Sequence, residues 1–92
     1  MITSFSCPDT EKLFNGVRVL RFAHIRQAAE YRLELINRAH RIEHFYFPRS
    51  NRFEALRGNR AGQYSIRINA QYRICFRFTD GNAHDVEIVD YH

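Results

Sequence analysis

The sequence predicts an α+β fold, a small antiparallel sheet packed against N-terminal helices in the order β-α-α-β-β-β. Three observations predict it. Residues 24–41 place Ile25, Ala28, Ala29, Leu33, Ile36 and Ala39 at three- and four-residue spacing, with Arg26, Glu30, Arg32, Glu34, Arg38 and Arg41 mostly between them, the pattern of an amphipathic helix. Residues 64–68, 72–78 and 84–91 alternate instead, as half-buried strands do. A chain of 92 residues encloses one modest core, so residues 1–92 are read as a single domain.

In chain order, residues 2–6 read as a short strand. Pro8 followed by Asp9 and Glu11 opens the first helix, because proline suits the first turn and acids suit its positive end. Asn15-Gly16 stops it. After the long helix, Pro48-Arg49-Ser50-Asn51 breaks the pattern, and Gly58 and Gly62 punctuate an irregular stretch. Asp80-Gly81 marks a hairpin between the last two strands. For Ile66 and Ile68 to share a face with Ile74 and Phe76, Asn69-Ala70-Gln71 must form a three-residue loop, which sets Arg67 opposite Arg73. The same logic pairs Phe76 with Val86 and Arg77 with Asp85. Opposed Arg67 and Arg73 cost stability unless an anion lies between them, so the pair is expected to serve function rather than folding. The alternative is that Glu87, diagonal to Arg73, neutralises it.

Composition narrows the function classes. Aromatic and aliphatic content of 45% excludes a disordered chain, and the longest apolar run is too short for a membrane span. The first residues lack the pattern of a secretory signal, so a cytoplasmic, reducing setting is expected, with Cys7 and Cys75 as unpaired thiols. Net charge is +4, and of fourteen basic residues only Lys12 is lysine. Arginine suits two-pronged phosphate contacts and stacking on bases; a GC-rich genome is the other source of such a bias. The charge is segregated: residues 55–79 hold five arginines (57, 60, 67, 73, 77) and no acid, and residues 80–92 hold four acids and no Lys or Arg. That pattern points to a polyanionic partner.

Three segments carry a more specific pattern: Asn51-Arg52-Phe53-Glu54-Ala55-Leu56-Arg57-Gly58-Asn59-Arg60-Ala61-Gly62-Gln63-Tyr64-Ser65-Ile66-Arg67-Ile68-Asn69, then Tyr72-Arg73-Ile74-Cys75-Phe76, then Val86-Glu87-Ile88-Val89-Asp90-Tyr91-His92. Together they resemble the HigB-type branch of the RelE/ParE toxin superfamily, the toxins of bacterial type II toxin-antitoxin pairs. The resemblance implies a RelE/ParE-like fold and an endoribonuclease (mRNA interferase) that enters the ribosomal A site and cleaves messenger. It also implies a HigA-like helix-turn-helix antitoxin as partner, with the 70S ribosome and mRNA as targets, operator DNA reached only through the antitoxin, and no membrane. Such toxins let the ribose 2′-OH attack the adjacent phosphate and take no cofactor or metal.

That chemistry needs a base, donors for charge building on the phosphate, and an acid for the departing oxygen. Asp90, Tyr91, His92, Arg57 and Arg73 supply these types as catalytic candidates, with Arg60, Arg67 and Arg77 as RNA-binding candidates and Glu54 as an additional one. Asp90 and the terminal carboxylate favour protonated His92, which suits an acid or a phosphate clamp. Some members of the branch carry histidine at the position of Glu54 and lysine at that of Arg57; arginine keeps the charge but delivers no proton, which leaves the base open. Glu54 is otherwise a surface partner of Arg57. Strict alternation puts Tyr91 on the face of Arg67 and Arg73, and Asp90 and His92 on the other. His40 and His44 stand four apart without a third ligand and read as solvent-exposed; Tyr72 and Phe76 read as core rather than as base-stacking rings. A gyrase-poisoning toxin on the same fold and a non-catalytic RNA-binding protein are the rival readings.

Overall fold

The structure, a computed structural model, describes residues 1–90. Helix α1 (Pro8–Phe14) begins on its proline and ends at Asn15, where Gly16 takes a left-handed φ of 84°. Helix α2 (Arg26–Arg38) is shorter than the periodic stretch expected for it. A 3-10 turn at Leu20–Ile25 precedes it, and Ala39 turns extended after it. In that turn the three-residue repeat buries both Phe22 and Ile25, so the apolar spacing continues where the α-helix does not.

Four antiparallel strands lie side by side in chain order: β1 (Glu54–Ala55), β2 (Tyr64–Arg67), β3 (Tyr72–Thr79) and β4 (Asn82–Asp90). The β2–β3 register is the expected one, with Arg67 opposite Arg73 and Ile66 opposite Ile74. Asn69 builds the loop between them: its Oδ1 accepts from the amides of Gln71 and Tyr72, both at 2.8 Å. Asp80 and Gly81 turn the next hairpin with φ of 54° and 79°.

Two expectations need correction. The β3–β4 register shifts at a bulge, so Arg77 faces His84 rather than Asp85, and Asp85 takes a left-handed φ of 54°. Residues 2–6, expected as a strand, make two isolated parallel bridges to β4, Ile2 to Ala83 and Phe5 to Val86. The bulge explains the interruption. Between the bridges, Ser4 Oγ accepts from the Asp85 amide at 2.9 Å and Ser6 Oγ donates to its carbonyl, so side chains replace the regular ladder. The fourth strand is instead β1, inside the stretch expected to be irregular.

The helices cover one face of the sheet. Leu13, Phe22, Ala29, Leu33 and Ile36 pack with Ile66, Ile74, Phe76 and Val86 in one cluster, each at most 1% exposed. Phe45, fully buried, meets the rings of Phe53, Phe76 and Phe78 at 5.1–5.4 Å and fastens the segment before β1 to this core. Tyr72 packs on Phe22 and His24, so Tyr72 and Phe76 serve the core as expected. The other face carries Glu54, Ser65, Arg67, Arg73, Cys75, Arg77 and Glu87. Among the described residues no helix is long and apolar enough to cross a membrane.

Candidate active site

Cross-strand register arranges that second face in rows. Glu54, Ser65, Cys75 and Glu87 form one row across the four strands, and Arg67, Arg73 and Val89 form the next. Strand alternation thus brings an acid on two-residue β1 alongside arginines from β2 and β3.

The opposed arginines are resolved by partners the sequence did not indicate. Arg73, with a side chain 12% exposed, reaches Glu54 Oε1 at 3.6 Å, donates from Nε to Ser65 Oγ at 2.9 Å, and donates from Nη2 to the Arg52 carbonyl. Glu54 is therefore the partner of Arg73, not of Arg57. Glu87 does not neutralise Arg73 either: its Oε1 accepts from Arg60 Nη1 at 3.0 Å, a nitrogen that also donates to Gln63 Oε1 at 3.0 Å. The carboxylate nearest along the sheet was taken, and the row geometry gave Arg73 the other one. Arg77 keeps Asp85 at 3.5 Å across the bulge, and its guanidinium lies where a side chain at Gly62 would stand. Beneath Arg60 and Arg73, burial pushes the Cys75 thiol above its ordinary value; Arg60 and Arg73 oppose this, and Glu87 and Glu54 reinforce it.

Two clefts open on either side of the Glu54–Arg73 pair. The larger, about 850 Å³, is lined by Glu54, Ala55, Leu56, Arg57, Asn59 and Arg60. The smaller, about 240 Å³, is lined by Arg52, Arg67, Asn69, Ala70 and Arg73. Arg57 is exposed, and neither Arg57 nor Arg67 is ion-paired among the described residues.

Asp90 closes β4 opposite Tyr72, which alternation places on the face away from Arg73, and its Oδ2 accepts from Gln71 Nε2 at 3.1 Å. Tyr91 and His92 lie outside the described residues, so the structure brings together Glu54, Arg57, Arg60, Arg67 and Arg73 and sets Asp90 at the sheet's end. His40 and His44 are exposed, their rings 6.0 Å apart, and among the described residues no three His, Cys, Asp or Glu side chains cluster as metal ligands. Sequence reading missed Arg52, which caps the 3-10 turn Arg49–Asn51 with a left-handed φ of 45° although it is not glycine, and Asn51, fully buried, which accepts from Arg32 Nη1 at 2.6 Å and donates to the carbonyls of Phe45 and Phe47. The available signal was the Pro48-Arg49-Ser50-Asn51 break, which ends on this asparagine.

Comparison with known proteins agrees with this architecture. Residues 14–92 match the family described as the RelE-like toxin of type II toxin-antitoxin system HigB. The chain is 42% identical over 59 residues to Toxin HigB-1 of Vibrio cholerae serotype O1, covering 64% of this chain and 62% of that protein. It is 43% identical over 37 residues to Endoribonuclease HigB of Proteus vulgaris, covering 40% of each. The matched stretches thus span less than two thirds of either relative. Among solved structures, a YoeB-YefM complex from Staphylococcus aureus shares the fold at a TM-score of 0.62 and 21% identity, over 100% of this chain and 95% of that one.

Proposed function

Because the chain belongs to the HigB-like family of RelE-like toxins, we propose that it is a ribosome-dependent mRNA endonuclease, the toxin of a type II toxin-antitoxin pair. The observation that carries this reading is the Glu54–Arg73 pair standing between two arginine-lined clefts on one sheet face. It puts a carboxylate beside guanidiniums, the combination that in-line cleavage of RNA by its own 2′-OH requires.

In that reaction the 2′-oxygen bonds to phosphorus while the P–O5′ bond breaks, leaving a 2′,3′-cyclic phosphate and a 5′-hydroxyl. The Glu54 carboxylate, which faces the larger cleft, takes the 2′ proton. Arg73 and Arg57 offset the charge growing on the phosphate oxygens, and Arg67 binds the RNA backbone. His92 delivers a proton to the departing 5′-oxygen, with Tyr91 next to it in the chain and Asp90 at the end of the sheet. Arg60 and Arg77, each tied to a carboxylate, hold the RNA chain from the flank. The nucleophile comes from the substrate, so the mechanism calls on no metal or cofactor. The partners are the 70S ribosome with its messenger and a HigA-like helix-turn-helix antitoxin, through which alone operator DNA is met, in the cytoplasm and away from membranes.

The test adds purified protein to translating ribosomes and maps messenger ends. New ends bearing cyclic phosphate support the proposal. Intact messenger with inhibited gyrase transfers the protein to the gyrase-poisoning reading, and neither effect leaves an RNA-binding protein without activity.

A further inference from the structure

Arg52 has no part in the reaction above, yet its geometry is the least ordinary on this face. It holds a left-handed φ of 45° without being glycine, a conformation that costs on the order of 1 kcal/mol and persists only where neighbours impose it. As the cap of the Arg49–Asn51 turn, Arg52 donates its N–H to the Arg49 carbonyl at 3.0 Å, and its own carbonyl accepts from the Arg73 guanidinium, which also holds Ser65 Oγ and faces Glu54. On the other side, Asn51 is locked by Arg32 and by the carbonyls of Phe45 and Phe47. The backbone at Arg52 is thus clamped from both directions, and its side chain lines the smaller cleft with Arg67, Asn69, Ala70 and Arg73.

Among the described residues that cleft is lined by donors and by no carboxylate. Arg52 and Arg67 are not ion-paired among the described residues. Asn69 uses its Oδ1 on the loop amides, which leaves its Nδ2 hydrogens for a ligand. At about 240 Å³ the cleft falls below the roughly 300–1,000 Å³ that encloses a drug-sized molecule, whereas the cleft across the Glu54–Arg73 wall, at about 850 Å³, has room for a nucleoside. Three guanidiniums and an amide around a small opening match the oxygens of one phosphodiester group.

We propose that this smaller cleft is a separate phosphate subsite, in which Arg52 and Arg67 hold a backbone phosphate of the RNA next to the one being cut, and that Arg73 links the two by fixing the Arg52 backbone. This deepens the endonuclease reading and rests on RNA being the ligand. A strand threaded across the wall would have its position set by two phosphates, one in each cleft.

The test measures binding of a short 2′-O-methylated RNA oligonucleotide, which its own 2′-oxygens cannot cleave, over a range of salt concentrations. One lost phosphate contact lowers the slope of log affinity against log salt by about 0.7 for single-stranded nucleic acid. Arg52→Gln and Arg67→Gln should each show that decrease, with affinity several-fold weaker at low salt. Arg52→Gly removes the same side chain and relieves the backbone, so it should show the same decrease with an unchanged or higher melting temperature. A wild-type slope in the folded Arg52 variants, or salt-independent binding by the wild type, overturns the subsite. A decreased slope in a protein that leaves ribosomal messenger intact keeps the subsite and removes the endonuclease reading; cleavage with an unchanged slope does the reverse.

Discussion

Arg73 joins folding and the proposed function in one side chain. Removing its guanidinium leaves the fully buried Ser65 hydroxyl and the Arg52 carbonyl without their donor, and hydrogen bonds to charged groups contribute about 1.5–3 kcal/mol each when lost. Arg73→Gln should therefore lose about 2 kcal/mol in urea unfolding as well as activity, contrary to the sequence-based expectation of a purely functional arginine. Arg57→Gln gives the contrast: exposed and not ion-paired among the described residues, it should shift stability by no more than about 0.5 kcal/mol while messenger cleavage falls by a factor on the order of 10². Cys75 adds a pH dependence. Burial, its largest influence, raises the thiol pKa in the folded protein, so the native state keeps a proton that the unfolded chain releases. The stability this gives is complete below the ordinary thiol value and is lost as pH rises through the folded one. Between about pH 8 and about pH 10, the melting temperature of Cys75→Ala should fall less than that of the wild type.

Elements were legible where local chemistry decides them. Asp80-Gly81 and Asn69 announce their turns, and the alternation of Ile66, Ile68, Ile74 and Phe76 is enough to place Arg67 opposite Arg73. What escaped is decided by contacts remote in sequence. The Asp85 bulge has no glycine to mark it, and its left-handed backbone is held by Ser4 and Ser6 from the far end of the chain. Two-residue β1 has no period to read, so the partnership of Glu54 with Arg73 stayed hidden although both were candidates. The segment before β1 depends on Asn51 in the same way: Asn51→Ala leaves Arg32 and two carbonyls short of partners, at a cost of about 1–3 kcal/mol. Protease should then cut within residues 45–52 faster than in the wild type, and RNA binding should weaken as the Arg52 carbonyl drifts from Arg73.

At the scale of the molecule, one sheet face is given to the helices and the other to charge, so the core can be stable without burying the site. The proposed chemistry draws its nucleophile from RNA, so a transition-metal chelator that spares magnesium and keeps ribosomes intact should leave the cleavage rate unchanged; loss restored by added zinc would discard the mechanism. The bulged edge of β4 carries a different consequence. Residues 1–6 run parallel to it, tied by backbone bonds from Ala83 to Met1 and from Thr3 to Ala83, and from Val86 to Ser4 and from Ser6 to Val86. Tension applied between residues 1 and 90 pulls these parallel segments past each other, loading all four bonds together in shear. Tension across the turn at Asp80 and Gly81 would instead peel β3 from β4 one bond at a time. The molecule is thus mechanically anisotropic, stiff when stretched along its terminal segments and weak when its last hairpin is pried open.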